Sequence, residues 1–292
     1  MSLYPQFARP RSLAEATQLL AGLSTGAVVI AGGQELMPSI NYGHLMPSIY
    51  IDIGALPELK GVGLAGGRLS IGALTVHRAL QRDSLIAEHA PLLAYAASQV
   101  GGGWQVHNRG TIGGNIVSMH PLYDILPPLL AMDAEVEIAA EAGPRTVALA
   151  ALMKDTAHGL GSQAILTRVL LPPLRTDAGW GYEKLKNTAG SYASANAAAI
   201  VTLAGGRIDT LRVVVGAASS LPIDVSGAVK DCVGQAWSGA LAELVEARAA
   251  AAVAEPLSDH QGDGAWRQAM AGVMARRAVN AAVVRAKSFS KG

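Results

Sequence analysis

Two glycine pairs sit where this chain could hold an anion. The apolar run Val28-Val29-Ile30 leads into AGGQEL at residues 31–36, and TIGGNI follows at residues 111–116. Glycine has no Cβ, so its backbone can approach a phosphate closely, and successive N–H groups can neutralise that phosphate without a cation. A glycine pair after a strand is equally the recipe for a tight turn. Two other pairs show what turns look like here. LAGGRLSI and TLAGGRIDTL set Gly66-Gly67 and Gly205-Gly206 between strand-like runs, as a two-residue hairpin requires. Gly32-Gly33 instead runs into Gln34, Glu35, Leu36, Met37 and Pro38, which do not alternate, and Gly113-Gly114 runs into Asn115 and a loop with Pro121. A strand that ends in glycines without returning as a hairpin leaves several amides aimed into one small space, which makes an anion nest.

Other chemistries find no anchor. Neither pair is part of G-x-G-x-x-G or of G-x-x-x-x-G-K-[ST], so the dinucleotide fingerprint and the P-loop are absent. The histidines at 44, 77, 89, 107, 120, 158 and 260 form no H-E-x-x-H, and no G-x-S-x-G elbow is present, which argues against a metal site and a serine nucleophile. A single cysteine, Cys232, excludes an internal disulfide framework and an iron-sulfur cluster held by four thiolates of this chain.

Positioning those glycines takes a large core, and half of the 292 residues are hydrophobic. A formal charge of +1 without a block of like charge argues against nucleic acid or an anionic membrane as partner. The first residues lack a signal peptide's charged head and apolar core, and no apolar stretch is long enough to span a bilayer. The expectation is a cytoplasmic protein.

Ser12 and Glu15 form a capping box before the stripe Leu13, Ala16, Leu19 and Leu20, which predicts a helix ended by Gly22. Strands follow at AVVI and SIYIDI, giving a β-α-β beginning, and then a strand pair around Gly66-Gly67. Helical spacing runs from residue 75 to a further glycine cluster near 101, and DILPPLLAM predicts a helix ahead of alternating strands. The seam falls at residues 174–179. Beyond it, an antiparallel sheet covered by helices is expected. The closing helix at residues 266–287 would carry Arg267, Arg276, Arg277 and Arg285 as solvated charges.

AGGQEL, QVHNRGTIGGNI, Asp124 within PLYDILP, and YEKLK with AGSYA together resemble the FAD-binding medium subunit of molybdenum hydroxylases, most closely the carbon monoxide dehydrogenase type. The resemblance continues through QAILTRVLLP to WRQAMAGVMARRAV and so covers nearly the whole chain. It implies an α+β fold. Residues 1–176 would form a two-lobed FAD-binding region of the PCMH type, and residues 177–292 a C-terminal lobe with a small antiparallel sheet and helices.

By the same resemblance, Ala31, Gly32, Gly33, Gln34 and Glu35, with Leu36 beside them, would wrap the FAD pyrophosphate from one side. Thr111, Gly113, Gly114 and Asn115 would close from the other. Asp124 would lie near the ribityl and adenosine portion, Lys184 near the pyrimidine edge, Tyr192 against one isoalloxazine face and Leu166 against the ring. Read from the residues alone, Asp124 equally suits a helix cap, Lys184 a solvated strand, Tyr192 and Leu166 the core. The sequence departs from the family at Gln34-Glu35, where a carboxylate would repel a pyrophosphate unless turned away, and at Tyr123 beside Asp124.

The implied partners are an iron-sulfur small subunit with two [2Fe-2S] clusters and a molybdopterin large subunit, assembled as a dimer of heterotrimers. This chain's FAD would pass their electrons to an outside acceptor. Two rivals stand beside that reading. One is a stand-alone FAD-dependent reductase of the same broad fold, and the other is a scaffold whose glycine loops merely turn the chain.

Overall fold

A computed structural model describes residues 5–23, 26–155, 160–161 and 163–289. His158, in the histidine survey above, lies outside them. The chain folds around three sheets, and the order of the elements explains where the glycine segments land.

The first sheet is parallel, in the order β1-β3-β2: β1 (Gln6–Ala8), β2 (Ala27–Ile30) and β3 (Ile49–Asp52). Helix α1 (Leu13–Ala21) links the first two, and α2 (Leu36–Asn41) leaves the end of β2 through residues 31–35. The Ser12 hydroxyl accepts from the Glu15 amide, while the Glu15 carboxylate accepts from the amide of Arg11, so the capping box closes one residue earlier than expected. Ala16 and Leu20 of α1 pack on Ile51, Leu56 and Leu59 as a small core of their own.

The second sheet is antiparallel and runs β4-β5-β8-β6-β7: β4 (Val62–Ala65), β5 (Arg68–Gly72), β6 (Glu135–Ala140), β7 (Gly143–Ala148) and β8 (Ala164–Leu171). Gly66 and Gly67 join β4 to β5 with φ of 57° and 75°, the two positive values of a type I′ turn. Between β5 and β6 the chain makes α3 (His77–Leu80), α4 (Ser84–His89), α5 (Pro91–Gln99), α6 (Gly103–Arg109), α7 (Ile112–Ser118) and α8 (Leu126–Ala131), and α9 (Leu149–Lys154) follows β7. Where continuous helical spacing was read, three short helices stand. The Asp83 carboxylate caps a fresh start by accepting from the amides of Leu85 and Ile86, and Pro91 opens the next.

The third sheet, β12-β11-β10-β9, is also antiparallel: β9 (Gly179–Leu185), β10 (Ala195–Ala204), β11 (Arg207–Gly216) and β12 (Ile223–Asp224). Gly205 and Gly206, at φ 56° and 77°, make its main hairpin. Helices α10 (Gly239–Ala251) and α11 (Gly264–Phe289) cover one face. Small residues decide that packing. A Cβ at Gly179 would lie 1.9 Å from the carbonyl oxygen of Ala282, and one at Gly181 2.0 Å from that of Ala278. The opposite face of the sheet joins the main core, where Tyr182, Ala198, Ile200 and Val214 cluster with Leu126 and Leu129 of α8.

The arginines of α11 correct the expectation of four solvated charges. Arg267 is fully buried and donates to the carbonyls of Ser194 and Ala217 and to Asp259. Arg285 stacks 4.0 Å over the Trp180 ring and donates to its carbonyl, and Arg276 pairs with Glu246. Only Arg277 is exposed. Arg267 and Arg285 therefore fasten the helix by donating to backbone carbonyls, and Arg276 ties it to α10 through a half-exposed ion pair. No helix among the described residues is long and apolar enough to cross a membrane.

Candidate cofactor site

The end of β2, the α6–α7 junction, the loop before α8 and the loop after β9 meet around one cavity of about 490 Å³. Ala31, Gly32, Gly33, Gln34, Glu35 and Leu36 line it together with Thr111, Gly114, Asn115, Asp124 and Tyr192. Of the candidate residues, Gly113, Leu166 and Lys184 do not.

Gly32 brings the first two segments together. A Cβ there would stand 1.9 Å from the carbonyl oxygen of Arg109, so nothing larger fits without moving a backbone. Gly33 follows in the left-handed region at φ 70°. Among the described residues, the amides of Gly32, Gly33, Gln34 and Glu35 donate to no protein group. This run of successive unpaired donors is the nest anticipated from the sequence.

The second glycine pair works differently. Gly113 and Gly114 do not end a strand but lie in the first turn of α7, whose cap is Thr111. The Gly113 amide donates to the carbonyl of Ala73 at 2.9 Å and the Gly114 amide to Thr111 Oγ1 at 3.1 Å. Those donors are spent on the fold. Gly113 is glycine because a Cβ would come 2.7 Å from that of Ala73, which presses α7 against the end of β5. Two nests converging on one ligand therefore become one nest and one closely packed helix start.

Side chains build the other wall. Asp124 accepts from the Tyr182 hydroxyl at 2.6 Å and from Lys184 Nζ at 2.7 Å, and Lys184 also donates to the carbonyl of Gln99. The Lys184 and Asp124 side chains are only 2 % and 3 % exposed. Burial pushes the Asp124 carboxyl above its ordinary range, against the pull of Lys184, and pushes the Lys184 ammonium down, against the pull of Asp124. Tyr182 is pushed well up by burial and then by the Asp124 charge, so it stays a donor. Asp124 caps no helix: α8 begins after Ile125 without a side-chain cap. Lys184 is not solvated, and it reaches the cavity only through Asp124. Leu166 is a core residue of β8, 3 % exposed, which removes it from the cavity wall.

Tyr192 is 45 % exposed and stacks on His120, which stacks on Tyr123. The Tyr123 hydroxyl donates to Glu35, joining two lining residues 88 positions apart in sequence. Burial, then the bond to Glu35, pushes the Tyr123 phenol up.

Several lining residues were not singled out in the sequence. His77 is 2 % exposed with Nδ1 lacking a partner, and burial, assisted by the charge of His107, pulls its imidazole down to about 4. Gly101 and Gly102 bring in the C-terminal lobe. The Gly102 amide donates to the Gly190 carbonyl, and a Cβ at Gly101 would lie 2.6 Å from that oxygen. Their signal was present in the triplet Gly101-Gly102-Gly103, read only as a helix end.

Fold and cavity define a flavoprotein subunit. Residues 4–174 match the family described as FAD binding domain in molybdopterin dehydrogenase, and residues 180–282 match the CO dehydrogenase flavoprotein C-terminal domain. The chain belongs to the FAD-binding medium subunits of molybdenum hydroxylases, which are oxidoreductase subunits. It is 34 % identical to the carbon monoxide dehydrogenase medium chain of Hydrogenophaga pseudoflava, over 96 % of this chain and 97 % of that one. It is 33 % identical to the corresponding chain of Afipia carboxidovorans, over 96 % and 97 %. A solved structure of carbon monoxide dehydrogenase from Hydrogenophaga pseudoflava superposes with a TM-score of 0.92 at 31 % identity, covering 98 % of this chain and 99 % of that one.

Proposed function

We propose that this chain is the electron-transfer subunit of a heterotrimeric molybdenum hydroxylase. It would take electrons from [2Fe-2S] clusters on an iron-sulfur small subunit and pass them through FAD to an external acceptor, while a molybdopterin large subunit carries out the hydroxylation. The assembly we expect is a cytoplasmic dimer of heterotrimers. Within the chain, residues 1–176 would form the FAD-binding region and residues 177–292 the C-terminal flavoprotein lobe. The lone Cys232, buried among apolar side chains, supports placing the clusters elsewhere.

The observation that carries this reading is the run of unpaired amides at residues 32–35, in a segment that lines the same cavity as Asp124 and Tyr192. The donor set suits FAD. Successive N–H groups would hold its diphosphate, with Ala31 and Leu36 as flanking wall and Thr111, Gly114 and Asn115 closing the far side. Asn115 Oδ1 is buried and has no partner, so it could accept from a sugar hydroxyl of FAD but not from the diphosphate. Asp124, held on two sides by Tyr182 and Lys184, would accept from sugar hydroxyls, and Tyr192 would supply a flat apolar wall. Lys184 would act by orienting Asp124. When bound, FAD supplies a centre that accepts two electrons and gives them up singly or in pairs.

The purified chain, incubated with FAD, freed of unbound flavin by gel filtration and then denatured, should release FAD. Release of FMN or a nicotinamide, or no uptake at all, would end the proposal. Gly32→Ala should weaken FAD binding by roughly a hundredfold, since two or more charge-assisted bonds are lost when the segment shifts. Gly205→Ala, where a Cβ meets open space in the hairpin, should leave binding unchanged. Equal affinities in the two variants would separate residues 31–35 from the site.

A further inference from the structure

We propose that Glu35 and Tyr123 form a clasp at this cavity, a pair of positioning residues that slows the escape of the flavin. The clasp rests on the reading of the cavity as the FAD site.

Both residues line the cavity, and the Tyr123 hydroxyl donates to Glu35 Oε2 across 88 positions of sequence. Among the described residues this is the one hydrogen bond joining residues 31–36 to residues 119–124. Glu35 is available for it. The residue stands at the N-cap of α2, yet its side chain caps nothing, so the carboxylate is not spent on the helix.

The phenol is held from behind. His120 stacks on the Tyr123 ring at 4.7 Å and on the Tyr192 ring at 5.2 Å, with interplanar angles of 25° and 28°. His120 is itself fixed by accepting from the Leu122 amide through Nδ1. The Tyr123 carbonyl accepts from the Asn196 side chain, which ties the residue to β10. Swinging Tyr123 away thus means breaking its stack on His120, while Glu35 is anchored at the start of α2. A bond between two such anchors restrains the gap between the segments. It also places the Glu35 charge on a donor, which lowers its repulsion for an anion at the amides of residues 32–35.

The test follows FAD release from the full-length chain by the recovery of free-flavin fluorescence, in wild type, Glu35→Ala, Tyr123→Phe and the double variant. Tyr123→Phe keeps the ring stack and removes only the hydroxyl. Each single variant should release FAD about five- to tenfold faster, as expected for one solvent-exposed hydrogen bond. The double variant should be no faster than Tyr123→Phe alone, because the bond to Glu35 is already absent there. Multiplying effects, or equal rates in all four chains at unchanged melting temperature, would overturn the clasp and leave the flavin site standing. A wild-type chain that takes up no FAD would overturn the reading beneath it.

Discussion

The two walls of the cavity are made of different material. Along residues 31–35 the wall is backbone: unpaired amides, a glycine that admits the Arg109 carbonyl, and the Glu35 carboxylate as its one charged side chain. Across from it the wall is side chain, with Asp124 held from behind by Lys184 and Tyr182 in a buried network and Tyr192 stacked at the rim. The backbone wall can hold an anion without bringing a cation, which agrees with a net charge of +1. The side-chain wall takes its shape from a buried ion pair, which is tolerable only while each charge keeps its partner. One wall should therefore fail through geometry and the other through charge.

Lys184→Met probes that difference most severely. It leaves Asp124 buried without its cation and should cost about 3–5 kcal/mol in urea unfolding. Adding Asp124→Asn should restore most of the loss, since a neutral amide needs no counter-charge. A loss below about 1 kcal/mol, or a double variant weaker than the single one, would show that the pair does not hold the wall.

Next in size is the acid limb of stability. His77 keeps its ring neutral in the fold, near 4, against an ordinary value of 6.5. Between those values the unfolded chain binds a proton that the folded chain refuses. The stability contributed by the neutral ring is complete above 6.5 and falls away as the pH drops toward 4. The span amounts to roughly 3 kcal/mol. Unfolding curves at stepped pH should show this limb in the wild type and not in His77→Gln. An identical acid slope in both would mean that the ring is not held neutral.

Smallest is the bridge between the walls. Glu35→Ala removes an exposed charge and one hydrogen bond, so thermal or urea stability should change by no more than about 1 kcal/mol. A larger loss would mean that the Glu35–Tyr123 contact carries the fold as well as closing the cavity.

Much of this was legible in sequence because it depends on neighbours along the chain. Gly66-Gly67 and Gly205-Gly206 read as hairpins, since strand alternation on both sides and a positive-φ demand are local properties. The helix cap at Ser12 was legible for the same reason. Gly113-Gly114 was misread: a glycine pair looks the same whether its amides are free or bonded, and their partners, Ala73 and Thr111, belong to the packing of α7. Lys184 and Arg267 were misread together. A basic residue on a strand or helix looks solvated until tertiary packing supplies Asp124 for one and the carbonyls of Ser194 and Ala217 for the other.

The sequence by itself determined the type of fold, the family and the segments that reach the cavity, because strand and helix periods, turn glycines and ordered motifs are written within short windows. Tertiary structure alone decided which amides stay unpaired, which charges are buried, and that Glu35 meets Tyr123. Those outcomes depend on groups far apart in the chain arriving within a few ångströms of one another, and no local pattern encodes that distance.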